Sequence, residues 1–133
     1  MRSETKSISI EAAPARVVHF LADPRNLPRW AVGFAKSVRE GPGGWSVTTG
    51  AGEVGVRIAA DERTGTVDFW MSPAPGVEAL AASRVVPNGA ASEYVFTQFQ
   101  FDGMPDSVFE KSVQAVAHEL KVLKAILEVE CPL

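Results

Sequence analysis

The chain has one cysteine in 133 residues, Cys131. No disulfide can form within it, so nothing ties it to an oxidising compartment. It has two histidines, His19 and His118, and no His/Cys cluster at metal-ligand spacing. A zinc or iron site is not expected, and no cofactor is implied. No apolar run approaches the roughly 20 residues that span a bilayer. The first twenty residues carry Arg2, Glu4, Lys6 and Glu11 and lack an apolar core, so no secretory signal is expected there. There is no run of Lys or Arg, and net charge is −3, which argues against a nucleic-acid partner. These absences together predict a cytoplasmic protein that does not insert into a membrane.

What is present is ordinary globular composition, with 46% hydrophobic and 22% charged residues. The length suits one domain over 1–133, large enough to bury a core without staples. No internal repeat or linker divides it.

The periodicity changes twice. Residues 6–10 (KSISI) alternate and predict a strand. Ala13-Pro14 then opens a helix in which Val17, Phe20 and Leu21 share a face. Pro24 stops it, because the residue before proline is pushed out of helical geometry. A second helical piece is expected at 26–31. From 34 to 101 the period is two. Turn signals at 41–44, 50–52, 63–65, 72–76 and 88–89 divide this region into six strands. Short connections make them antiparallel neighbours.

Two hairpins can be given a register. A turn at Arg63-Thr64 sets Ile58 opposite Phe69, Val56 opposite Met71 and Arg57 opposite Trp70. A turn at Asn88-Gly89 sets Ser83 opposite Tyr94 and Ala81 opposite Phe96. Both sort into one apolar and one charged face, as in a sheet buried on one side.

The last element is a helix expected over about 107–129. Ser107-x-x-Glu110 reads as a capping box. Phe109, Val113, Val116, Leu120, Leu123 and Leu127 recur at helical spacing. Val122, Ile126 and Val129 widen the apolar arc, and a partner protein or a homodimer could use that extra surface.

The order is strand, two short helices, six antiparallel strands and a long C-terminal helix. That order, with "SISIEAAPARVVHFLADPRNLPRW" at 7–30, Trp45 opening its strand and "MPDSVFEKSVQAVAHELKVLKAILE" at 104–128, resembles the START-like (SRPBCC) superfamily. It is most similar to the small bacterial polyketide cyclase/dehydrase-like branch. The resemblance implies an α+β helix-grip fold: a curved seven-stranded antiparallel sheet wrapped around the long helix, with a cavity between them. It also implies that the broken helix forms the cavity mouth, with Trp30 projecting there.

The inward sheet face and the helix stripe then supply the candidate ligand contacts. They are Trp30, Trp45, Val56, Ile58, Phe69, Met71, Ala81, Tyr94, Phe96, Gln98, Val116 and Leu120. This is an apolar lining with a few polar tips, suited to a small hydrophobic molecule of lipid, polyketide or aromatic type. Tyr94 is the one weak catalytic candidate, as an acid/base. Three functions stay open: a carrier or sensor of an apolar ligand, a cyclase, aromatase or dehydratase acting by shape, and an interaction module.

Overall fold

A computed structural model describes residues 1–133. The expected α+β helix-grip architecture is present. Strands β1 (Ser3–Ile10), β2 (Ser37–Gly41), β3 (Gly44–Thr49), β4 (Gly52–Asp61), β5 (Thr66–Ala74), β6 (Val77–Asn88) and β7 (Ala91–Phe99) form one antiparallel sheet. Its order is β1-β7-β6-β5-β4-β3-β2. Every neighbour but one is also a neighbour in sequence; β1 closes on β7 from the other end of the chain.

Helix α1 (Pro14–Ala22) starts with proline in its first turn and buries Val17, Val18 and Leu21. Asp23 is extended before Pro24 and ends it. The punctuation that follows is held by hydrogen bonds. The Asp23 carboxylate accepts from the Arg25 backbone N–H at 3.0 Å and capsules a 3₁₀ turn over Pro24–Asn26. The Asn26 amide donates to the Phe20 carbonyl at 2.9 Å. A one-turn helix, α2 (Leu27–Trp30), then buries Leu27 and Trp30. The second helical piece is therefore a 3₁₀ turn followed by a short α-helix, because Pro24 and Pro28 each deny the chain a backbone donor.

The β4–β5 register is as expected, with Ile58 opposite Phe69, Val56 opposite Met71 and Arg57 opposite Trp70. The β6–β7 register differs by two. Asn88 pairs with Ala91, so the turn is Gly89-Ala90, and Ser83 faces Phe96 while Val85 faces Tyr94. Gly89 has φ +60° and no non-glycine residue has positive φ. A turn with only its first residue at positive φ takes Gly-X, whereas Asn-Gly would need both. An even shift keeps each side chain on its face, so the inward set survives.

Helix α3 spans Asp106–Glu130. The capping box is not formed: Pro105 occupies the N-cap and no side chain caps it. Asp106 lies in the first turn, where its charge suits the helix N-terminus. Arg2 takes Glu110 instead and lies over the Phe109 ring.

The helix runs alongside β1. Arg2 meets Glu110 near one end; the Ser9 carbonyl accepts from Lys124, and the Glu11 N–H donates to Glu128, near the other. Its other flank touches α2, where Arg29 pairs with Glu130. Its close backbone approaches are to β1 and α2, and between it and the central strands lie side chains. The widened arc of α3 is mostly used in packing. Val122 and Ile126 lie against the core, and only Val129 stands free, at 79% exposure. No helix is long and apolar enough to cross a membrane.

Candidate functional site

The concave sheet face, roofed by α2 and α3, gathers most of the candidate residues. Trp30, Val56, Phe69, Ala81, Tyr94, Phe96, Val116 and Leu120 are buried; Trp45, Ile58, Met71 and Gln98 are half-buried. Aromatic rings run through it in contact. Trp30 lies 6.0 Å from Phe69, Phe69 6.1 Å from Phe96, and Phe96 6.2 Å from Tyr94. Trp30 therefore sits beneath the helix rather than projecting at a mouth. The Pro24 and Pro28 breaks swing it inward, and it fills part of the space expected to be open.

The remaining space has two parts. Val56, Phe69, Ala81, Phe96 and Val116 each keep between 4% and 7% exposure, whereas Val47, Val67 and Tyr94 on the same sheet face keep none. All five belong to the packed core between sheet and α3. Of the two spaces, one is an open cavity of about 330 Å³, lined by Ala22, Pro24, Gly43, Gly44, Trp45, Val56, Arg57 and Ile58. Its lining holds three of the expected ligand residues and none from α3. Of the lining residues, Val56 and Ile58 belong to the face of the aromatic row, across from Met71 and Phe69, and Arg57 to the opposite face. Leu120 lines a second, open groove of about 300 Å³ between β1 and α3, with Lys6 and Lys121 among its walls.

The polar groups of the interior differ in how well they are satisfied. The Tyr94 hydroxyl donates to Ser83 at 2.9 Å, and Ser83 donates on to the Val67 carbonyl at 2.5 Å. Burial pushes the Tyr94 phenol well above its ordinary pKa. With its proton committed to Ser83, Tyr94 is a packed strut and a poor acid/base. The Trp30 indole Nε1 is buried with no partner. The Gln98 amide donates to Ser112 at 2.9 Å through Nε2, while its Oε1 is buried and unpaired.

The residue that sequence reasoning missed is Glu119. It is buried on α3, where its Oε2 accepts the Gly33 backbone N–H at 2.9 Å. Burial raises its pKa from 4.5 to about 7, against smaller lowering by the Gly33 and Phe34 N–H groups. A signal was available: Glu119 falls three residues after Val116 and four before Leu123, inside the apolar stripe. His19 and His118 are exposed, and no three His, Cys, Asp or Glu side chains are grouped to hold a metal.

Residues 1–128 match the family described as polyketide cyclase / dehydrase and lipid transport. The chain belongs to that family. No curated protein sequence matches it. Among solved structures it is similar to an uncharacterized protein from Bacillus thuringiensis (TM-score 0.73, 16% identity, covering 94% of this chain and 98% of that one). It is similar to a START superfamily protein from Mycobacterium smegmatis (TM-score 0.68, 12% identity, 95% and 97%). It also resembles the di-domain ARO/CYC protein BexL from the BE-7585A biosynthetic pathway, with TM-score 0.75 and 17% identity. That match covers 98% of this chain but 48% of BexL, about half of the di-domain protein. At these identities the likeness is one of fold.

Proposed function

We propose that this domain binds a small, mainly apolar molecule in the cleft between the sheet and α3, reached through the cavity beside Trp45 and Ile58. The carrying observation is the apolar lining of the cavity at Trp45, Val56 and Ile58, which lies next to the aromatic row of Trp30, Phe69 and Phe96 on the concave sheet face. That cavity, of about 330 Å³, is at the small end of ligand pockets. The ligand is accordingly compact, of aromatic or short polyketide type.

Filling the cleft tests this. Ala81→Leu adds three carbons at the centre of the proposed cleft, and it should lower affinity for an apolar aromatic such as naphthalene at least tenfold while leaving the melting temperature level or higher. In a solidly packed core the same change would overpack and cost about 1–3 kcal/mol. A large loss of stability with unchanged binding refutes the cleft. Native mass spectrometry of protein purified from its natural host would then identify the bound molecule.

Glu119 favours a second reading, cyclisation of a polyketide-like chain. A carboxyl with a pKa near 7, one turn from Val116, has the proton affinity of a general acid or base at neutral pH. Turnover of a poly-β-ketone substrate that Glu119→Gln abolishes would support it. Binding without turnover would leave the domain a carrier.

A further inference from the structure

The seam between β1 and α3 is closed at both ends by opposite partners. Arg2 meets Glu110 at one end. At the other, Lys124 donates to the Ser9 carbonyl at 2.7 Å and Glu128 accepts the Glu11 N–H at 2.8 Å. Between those ends the seam stands open as the groove of about 300 Å³, with Lys6 on the strand wall and Lys121 on the helix wall. Neither lysine makes an ion pair, and no acidic residue lines the groove. Two positive charges share one space without a counter-charge, in a chain whose net charge is −3.

Strand parity puts Lys6 there. Glu4, Lys6, Ile8 and Ile10 share the inward face of β1, and all but the fully buried Ile10 are half-buried. A lysine on such a face lays its stem along apolar surface and holds its ammonium at the edge of it. Glu4 has the same parity but lies outside the groove lining.

The strand backbone adds a third donor. In an antiparallel pair, alternate residues bond to the neighbouring strand and the others turn away from it. The Gln100 N–H donates to the Arg2 carbonyl at 2.8 Å, so the even-numbered residues of β1 face β7. Thr5, Ser7 and Ser9 then turn their N–H and C=O groups to the open edge, as the Lys124 bond to the Ser9 carbonyl bears out. Ser7 lines the groove, and its N–H has no strand to take it. The rest of the lining is apolar: Ile8, Ala117 and Leu120.

We propose that the β1–α3 groove is a second binding site, for a small aliphatic carboxylate: its oxygens meet Lys6, Lys121 and the Ser7 N–H, and its tail lies on Ile8, Ala117 and Leu120. A bare anion would leave the apolar floor wet, and a hydrocarbon would leave the charges unmatched. The groove shares no residue with the cavity at Trp45, so this site stands or falls independently of the binding function proposed above.

The test is titration of the whole chain with sodium hexanoate at low ionic strength, read from the methyl resonances of Ile8, Ala117 and Leu120. Hexanoate should bind with a Kd of about 1 mM or tighter. Hexan-1-ol keeps the tail and acetate keeps the head, and each should bind about tenfold more weakly. Lys6→Met and Lys121→Met keep the stem and remove the charge. Each should weaken hexanoate about fivefold to tenfold and leave hexan-1-ol within about twofold of the wild type. Their melting temperatures should stay level or rise, because each change removes one of two like charges. Unchanged hexanoate affinity in both variants would overturn the proposal. Inorganic phosphate binding as tightly as hexanoate would overturn it too, since the apolar floor would then play no part. Shifts confined to the Val56 and Ile58 methyls would put the carboxylate in the other cavity and equally sink it. So would the absence of any shift up to about 20 mM hexanoate.

Discussion

Glu119 and Gly33, 86 residues apart in sequence, meet at 2.9 Å: the buried carboxylate accepts the backbone N–H of the segment that joins α2 to β2. That one hydrogen bond fixes the roof of the cleft, because Trp30 lies three residues before Gly33 on the same stretch. It is also made by a group that burial discourages from carrying charge.

The first prediction concerns pH. The unfolded chain releases the Glu119 proton near 4.5 and the folded chain near 7. Below 4.5 both states hold the proton and the folded state has its full advantage. Between 4.5 and 7 the unfolded chain ionises first, so stability falls as pH rises. Above 7 the loss is complete, at about 3 kcal/mol. Glu119→Gln keeps an oxygen for Gly33 and removes the titration. Urea denaturation at pH 5 and pH 8 should show the wild type weaker at pH 8 and the variant nearly level. Three other carboxyls act with the opposite sign. Asp23, held low by Arg25, Glu53 by Thr48 and Glu128 by Lys124 lend support above the ordinary carboxylate range that is lost as pH falls. Their contribution lies at the acid end, outside the interval compared. Parallel slopes for wild type and variant between pH 5 and 8 would show that Glu119 is not the group responsible.

A second prediction follows from the closeness of that contact. A Cβ on Gly33 would stand 3.1 Å from the Ala115 Cβ and 3.3 Å from Glu119 Oε2. Gly33→Ala should therefore push the segment off α3, costing roughly 1–2 kcal/mol and disturbing Trp30. Ala115→Gly removes one of the two obstructing atoms at its own helix cost of about 1 kcal/mol. The double variant should lose less than the sum of the singles. Strict additivity in a thermal-melt cycle would mean the two residues do not press on each other.

These contacts show what could be read in the sequence. The fold was legible because its signals repeat. Alternation in β4 and β5 fixed a register that Ile58 and Phe69 obey, and Pro14 and Pro24 bounded α1. The exact turn at Gly89-Ala90 was not, since Asn-Gly and Gly-X turns differ only in which residue takes positive φ. Ser107 and Glu110 have capping-box spacing, but Arg2, distant in sequence, claims the glutamate. The candidate site was legible as a face and not as a volume. Which side chains point inward follows from parity; whether Trp30 lines a space or fills it depends on where two prolines send the chain. Glu119 went unread for a related reason. Its position on the stripe was visible, but its partner is a backbone N–H that no side-chain pattern marks.

A third prediction rests on Gly65, in the β4–β5 turn. Its φ is +78°, and a Cβ there would lie 2.1 Å from the Val85 carbonyl oxygen. The Val85 N–H also donates to the Gly65 carbonyl at 2.8 Å, so the turn is pinned against β6. Gly65→Ala has neither the conformation nor the room, and should cost more than about 2 kcal/mol. Gly76, also at positive φ, has nothing within 4 Å of its Cβ position. Gly76→Ala carries the backbone penalty alone, about 1 kcal/mol. Denaturation of the two variants side by side separates the parts. Equal losses would mean that the contact with Val85 relaxes at no cost.

The last prediction separates structure from chemistry at Tyr94. The chain Tyr94–Ser83–Val67 ends on a carbonyl, so its members are unequal. Tyr94→Phe removes the first donor and leaves Ser83 still bonded to Val67, at a cost of about 1 kcal/mol. Ser83→Ala strands a fully buried phenol with no acceptor and should cost more, up to about 3 kcal/mol. In the double variant nothing polar is left over except the Val67 carbonyl, which belongs to the sheet, so its stability should recover toward that of Tyr94→Phe. Ligand affinity should be unchanged in Tyr94→Phe, because its hydroxyl is fully buried and bonded to Ser83. If binding or turnover instead vanishes in Tyr94→Phe while its denaturation midpoint barely moves, the phenol does chemistry after all, and the proton it gives to Ser83 in this structure is available to a ligand.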